Sequence, residues 1–132
     1  MLGGRLKTLH APIFAGLLYR RGVGEDEAEM AEHGLPGVDL LACNFYRLGD
    51  DDLLQTIDVG GPAMVRAAAK NHPSVLVLVD PADYEEVLAA LREADGDPAG
   101  IDASLRRRLA LKAFAATRDY DAAIVERLNR RN

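Results

Sequence analysis

The chain has 132 residues, 48% of them hydrophobic and 28% charged, a balance that suits one domain with a real hydrophobic core. Its formal net charge of -5 argues against a general affinity for nucleic acid or an anionic membrane and leaves room only for a local basic pocket. A lone cysteine, Cys43, excludes an internal disulfide. With no cationic-then-apolar leader and no bilayer-length apolar run, a reducing cytoplasm is the expected location.

In chain order, Pro12 opens a predicted helix over residues 11 to 21, and Glu25 to His33 form a short acidic helix closed by Gly34 and Pro36. The near-continuous apolar run Val38 to Phe45 reads as a strand covered on both faces, with Asn44 and Tyr46 at its far end. Asp51 and Asp52 before Leu53-Leu54 mark a helix N-terminus rather than a metal site. A helix from Pro62 to Asn71 then leads into the clearest strand, Ser74 to Asp80, so the unit reads as a right-handed parallel crossover. An amphipathic helix over Asp83 to Ala94, a loop over 95 to 100 and a long helix to about Leu128, N-capped by Ser104, complete the chain. Two clear strands with several helices make an α/β fold in a single domain over 1 to 132. The sheet looks incomplete for a doubly wound protein, and the uncovered edge of the first strand is expected to seek a partner.

Only three of the sixteen basic residues are lysines, and two of these, Lys7 and Lys70, lie in the most function-like segments. A lysine ammonium can give up its proton once desolvated, whereas a guanidinium stays charged, so these two are the first candidates for acid/base chemistry. In a parallel sheet, ligands bind where strand carboxyl ends meet helix N-termini, which is where Asn44, Tyr46 and the Asp58-Val59-Gly60-Gly61 loop fall. Two readings stay open. In one, Asp58 caps the loop, the glycines make a turn and Lys70 complements the helix C-terminus; in the other, the same groups address different parts of one ligand. Along a straight helix from Pro62 to Lys70 the ends are about 12 Å apart, so Asp58 and Lys70 are not expected to pair. Ala63, Arg66 and Ala67 share the face of Lys70, a small-residue surface over which its chain can lean back.

The segments Gly3-Gly4-Arg5-Leu6-Lys7-Thr8-Leu9-His10, Cys43-Asn44-Phe45-Tyr46, Asp58 to His72, Asp80-Pro81-Ala82-Asp83-Tyr84, Ser104 to Phe114 and Tyr120 to Ile124 together resemble the IMP cyclohydrolase domain of the bifunctional AICAR transformylase/IMP cyclohydrolase family. The resemblance implies a methylglyoxal-synthase-like three-layer fold. It also implies dehydrative closure of a formylated aminoimidazole carboxamide ribotide (FAICAR) to IMP, in de novo purine biosynthesis, without metal or cofactor. By position in the motifs, Lys70 would be the principal proton donor and acceptor, supported by Lys7, Tyr46 and Asp58. Arg5, Leu6, Lys7 and Thr8 would line the nucleotide site, with Cys43, Asn44, Asp58, Val59 and Gly60 around the base.

Departures from the family pattern set further expectations. The family's first strands and phosphate cradle precede the Gly-Gly-Arg motif, whereas this chain starts at Met1 just before it, so most of the phosphate site is expected to be absent and no transformylase domain follows. Phe14 stands where the family has a second histidine, Arg47 where it has proline, and the Arg47 to Gln55 connection is short. Partners are therefore a purine nucleotide and either a second copy or a complementing N-terminal segment. The alternative is a non-catalytic nucleotide-binding or assembly module; a methylglyoxal-synthase-like lyase fits Asp58 to His72 less well. Arg106-Arg107-Arg108 reads as a solvated helix face, and His10 and His72 as structural.

Overall fold

The computed structural model describes residues 10–49 and 52–130. It is a mixed α/β structure in the order α1 (Ala11–Leu18), α2 (Gly24–Glu32), β1 (Leu40–Ala42), α3 (Leu53–Thr56), α4 (Gly60–Lys70), β2 (Leu76–Leu78), α5 (Tyr84–Glu93) and α6 (Ala103–Arg130), with 3-10 turns at Pro81–Asp83 and Pro98–Gly100. β1 and β2 are parallel, with Leu40 opposite Leu76, Leu41 opposite Val77 and Ala42 opposite Leu78. Both strands are shorter than their apolar runs, although the ladder continues through Leu76 N–H to Asp39 O and Cys43 N–H to Leu78 O, each 2.9 Å.

The pleat of β2 divides the core. Val75 and Val77 point to one side, against Leu17 of α1, Val65 and Ala67 to Ala69 of α4, and Ala110 and Ala113 of α6. Leu76 and Leu78 point to the other, against Val87, Ile101 and Leu109. α6 thus supplies both clusters, and its small Ala110 and Ala113 let it lie close to α4 and β2. β1 differs from expectation. It is half-buried, with Ala42 exposed: Leu41 packs against one cluster and Leu40 against the other without being enclosed, and, among the described residues, the other edge of β1 has no partner strand.

Two helix boundaries also depart from the sequence reading. α1 stops at Leu18 rather than Arg21 because its last carbonyls are taken from outside: the buried Asn71 donates through Nδ2 to Leu17 O at 3.0 Å and Tyr19 O at 2.8 Å. Beyond it, the Arg20 and Arg21 N–H groups donate to Asp26 Oδ2 at 2.7 Å and Ser74 Oγ at 3.2 Å. The cap of α6 is Asp102, not Ser104, since Asp102 Oδ1 accepts the Ser104 N–H at 2.8 Å as well as its hydroxyl. Asp52 does cap α3, accepting from Gln55 N–H at 3.3 Å, while Asp51 lies outside the described residues.

The arginine run is not a uniformly solvated face. Arg106 is buried, 5% exposed, and donates to the carbonyls of Ile101, His72 and Pro98, whereas Arg107 and Arg108 are exposed. A turn of α6 from Ala103 puts Arg106 on the inward side, where it meets the Ile101 carbonyl and the Pro98 carbonyl, the latter also accepting the Ile101 N–H at 3.2 Å. Burial pushes its pKa down, with the nearby Arg21 charge adding to the effect.

Lys112, the third lysine, clamps the exit of β2. Its Nζ lies 2.7 Å from Asp80 Oδ2 and 2.8 Å from Asp83 Oδ2. The hydrogen bond to Lys112 holds the Asp80 pKa down, and the bonds to Asp80 and Asp83 hold the Lys112 pKa up. A depressed carboxylate stabilises the fold above its ordinary value of 3.8 and loses that contribution as pH falls through the lower folded value. A raised lysine stabilises below its ordinary value of 10.5 and loses the contribution as pH rises through the higher folded value. Lys112→Met should therefore lower the melting temperature at neutral pH, and the gap from the unsubstituted protein should narrow in thermal melts as pH drops below the carboxylate range.

Candidate functional site

The carboxyl ends of β1 and β2 bring one group of the predicted residues together. β1 exits through Cys43, Asn44, Phe45 and Tyr46, and α4 enters through Asp58, Val59 and Gly60. The Asp58 carboxylate joins the two segments, its Oδ1 accepting from Gly61 N–H at 2.9 Å and its Oδ2 from Tyr46 N–H at 3.4 Å. Asn44 is held across the strand ends, donating to Val79 O at 3.1 Å and accepting from the Tyr84 hydroxyl at 3.5 Å. Tyr46 and Val59 are 62% and 49% exposed, so this edge presents an aromatic, an aliphatic and a carboxylate toward solvent on a backbone fixed from beneath.

Gly61 is required by that arrangement rather than by its own backbone angles. A Cβ there would lie 2.5 Å from Asp58 Oδ2 and 3.0 Å from its Cγ, so any side chain displaces the carboxylate. In Gly61→Ala, the helix-propensity gain of about 1 kcal/mol offsets a lost cap of similar size. The expected result is little change in stability but faster amide hydrogen exchange at residues 46 and 61, read by NMR.

Cys43 faces the α4 side of the sheet, half-buried against the core. Its thiol pKa is raised, first by burial and then by the Asp58 charge, which keeps it a thiol and unsuited to nucleophilic attack.

Lys70 is not part of this cluster. It is the last residue of α4, exposed, and about 15 Å along the helix axis from Gly60. It makes no hydrogen bond or ion pair with any described residue, and Ala63, Arg66 and Ala67 share its face of the helix. Arg5, Leu6, Lys7 and Thr8 lie outside the described residues, so their placement is not part of this geometry. His72 sits with Nδ1 3.1 Å from Ala69 O, a structural contact. Among the described residues there is no group of three or more His, Cys, Asp or Glu that could hold a metal, and no helix is long and apolar enough to cross a membrane.

One residue escaped the sequence reading as a part of the site. The Tyr120 hydroxyl of α6 accepts from Asp58 N–H at 2.8 Å and donates to Thr56 O at 3.4 Å, while its ring meets Phe45 at 5.2 Å between centroids. Tyr120 thereby fixes the segments bearing Tyr46 and Asp58 from below. The buried-face spacing of α6, with Ala113, Thr117 and Tyr120 three or four residues apart, is the signal that places it there. Farther along α6, Arg127 holds the same loop by donating to Leu48 O at 2.9 Å and Gly49 O at 3.0 Å.

A groove of about 420 Å³ lies elsewhere, between α1 and α2, lined by Phe14, Leu18, Tyr19, Met30 and Leu35 among others. None of the predicted site residues lines it. Phe14 also packs, partly buried, against the core cluster that includes α4.

The sequence profile of the AICARFT/IMPCHase bienzyme matches residues 68–132. The chain is 49% identical over 133 residues to the bifunctional purine biosynthesis protein PurH of Chloroflexus aurantiacus and 45% identical over 138 residues to that of Acidithiobacillus ferrooxidans. These alignments cover 94% and 98% of this chain but only 25% and 26% of the two relatives, so it spans about a quarter of their length. A crystal structure of ForH superposes with a TM-score of 0.88 at 40% identity, covering 98% of this chain and 69% of that one. With 98% of the chain matched in fold at 40% identity and residues 68–132 matched by the family's profile, the chain belongs to the AICARFT/IMPCHase bienzyme family.

Proposed function

We propose that residues 1 to 132 form an IMP cyclohydrolase domain, closing FAICAR to IMP with loss of water. The observation that carries this reading is the gathering of Asn44, Tyr46 and Asp58-Val59-Gly60 at the carboxyl end of the sheet, in a chain of this family. Ring closure requires the carboxamide nitrogen to attack the formyl carbon. The carboxamide nitrogen loses one proton as the new C–N bond forms, and the formylamino nitrogen loses the other as the ring C=N bond forms; the formyl oxygen takes up both and departs as water, with no electrons transferred. A donor must meet the developing oxyanion, and a base and an acid must serve the two ends.

In this reading the purine base rests on Cys43, Asn44, Asp58, Val59 and Gly60, with Tyr46 and Lys7 as donors and Arg5, Leu6, Lys7 and Thr8 along the nucleotide. Both Asp58 oxygens already accept backbone N–H groups, which suits it to position the edge and to orient a donor on the base. Lys70 reaches the reacting group only by leaning back along α4, over the small side chains of Ala63 and Ala67. No metal or organic cofactor enters the scheme, and a cytoplasmic location belongs to the same proposal.

Following FAICAR disappearance and IMP appearance tests the reading. The protein is assayed alone and again with the N-terminal strands of a bienzyme relative added in trans. IMP formed in either arm supports a cyclohydrolase, and formation only in the second arm identifies a site completed by that segment. With none in either arm, the chain is a nucleotide-binding or assembly module.

A further inference from the structure

At the carboxyl end of β1 a side chain takes over from the backbone ladder. Cys43 N–H donates to Leu78 O at 2.9 Å, and at the next residue it is the Asn44 side chain that continues, Nδ2 donating to Val79 O at 3.1 Å. A carbonyl can only accept, so turning this amide over would set Oδ1 against Val79 O, acceptor to acceptor. At the other end of the amide, Oδ1 accepts from the Tyr84 hydroxyl at 3.5 Å. Two groups thus hold the amide the same way round.

Both belong to one braced segment. Asp80, directly after Val79, accepts the Ala82 N–H through Oδ1 at 3.0 Å and the Asp83 N–H through its carbonyl at 3.1 Å, while Lys112 ties the Asp80 and Asp83 carboxylates together. The ring of Tyr84 packs, partly buried, against the cluster of Leu76, Leu78 and Val87. Neither the hydroxyl nor the carbonyl is placed to follow a turned amide.

An asparagine amide has two N–H donors and an oxygen with two lone pairs, so with one of each engaged, a donor and an acceptor remain side by side. Asn44 is exposed, which leaves that pair open to a ligand. A 6-oxopurine offers a carbonyl acceptor beside a ring N–H donor; a 6-aminopurine offers an amino donor beside a ring nitrogen acceptor. In one pose, an amide pairs doubly with the first edge one way round and with the second only when turned over. We propose that Tyr84 is a positioning residue which, by fixing the sense of the Asn44 amide, selects the 6-oxo edge of IMP and the matching carboxamide of FAICAR against 6-aminopurine nucleotides. The inference rests on the nucleotide reading given above.

Tyr84→Phe keeps the packed ring and removes only the hydroxyl. IMP and AMP are titrated calorimetrically against the unsubstituted protein and the variant, with the N-terminal strands of a bienzyme relative present. The unsubstituted protein should prefer IMP by about tenfold or more, the discrimination a doubly bonded amide provides. The variant should lose about three- to tenfold of that preference, the share of one neutral hydrogen bond. A merely structural role would weaken both nucleotides alike, and an unmoved ratio overturns the proposal. Side-chain NMR relaxation in the free protein gives a second measure: the Asn44 amide should be more mobile in the variant, and equal mobility would also count against the lock. Failure of IMP to bind overturns the nucleotide reading together with this proposal, whereas equal affinities for IMP and AMP overturn this proposal alone.

Discussion

Lys70→Arg is expected to lower the rate of IMP formation from FAICAR by about 10²- to 10⁴-fold, the range contributed by a single acid/base group, while leaving the melting temperature unchanged. The separation of these two outcomes follows from where the residue sits. Lys70 ends α4, is exposed and bonds to no described residue, so the fold asks of it only a positive charge near a helix C-terminus. Arginine supplies that charge equally well. What arginine cannot supply is a proton at neutral pH, because its guanidinium does not titrate. A variant that is folded and inactive therefore marks proton transfer, and one that retains full activity removes Lys70 from the chemistry. Lys70→Met separates charge from proton transfer further: if charge alone matters, the arginine variant survives and the methionine variant does not.

Arg106→Met is expected to destabilise the protein by about 2–3 kcal/mol and to lower its melting temperature by roughly 10 °C at about 4 °C per kcal/mol. Methionine replaces most of the volume but none of the donors. The carbonyls of Ile101, His72 and Pro98 would lose the guanidinium that ties the start of α6 to the turn before it and to the residues leading into β2. Two of these bonds are long, at 3.3 and 3.4 Å, and removing a buried cation also relieves its desolvation, which holds the estimate below that of a fully bonded ion. Arg107→Ala, one residue on and exposed, should change stability by less than about 0.5 kcal/mol. Thermal unfolding followed by circular dichroism distinguishes the pair, and equal melts would contradict the assigned role of Arg106.

The contrast between those neighbours shows what was legible in the sequence. Apolar runs and helix punctuation located β1, β2 and the main helices because burial and backbone chemistry leave local marks. The positions of the ends did not, since they depend on distant groups: α1 terminates because Asn71 takes its carbonyls, and nothing between residues 11 and 21 announces that. Likewise, three consecutive arginines look alike in one dimension, and only the 100° step of the helix turns the first of them inward. Within the candidate site, motif positions picked out Asn44, Tyr46 and Asp58, which the fold gathers through Asp58 itself. They also grouped Lys70 with these residues, although α4 carries it to its other end. Tyr120 was invisible as a support because its partners, Asp58, Thr56 and Phe45, are more than sixty residues away.

The central claim is that a purine nucleotide rests on the carboxyl edge of β1 and the entrance of α4. The most direct measurement is an amide NMR titration of the protein with IMP, alone and with the N-terminal strands of a bienzyme relative present. Saturable shifts at Asn44, Tyr46, Val59, Gly60 and Gly61 are predicted, with smaller ones along the Ala63 to Lys70 face. Saturation that leaves these amides unmoved, or moves only those lining the groove between α1 and α2, would contradict the account.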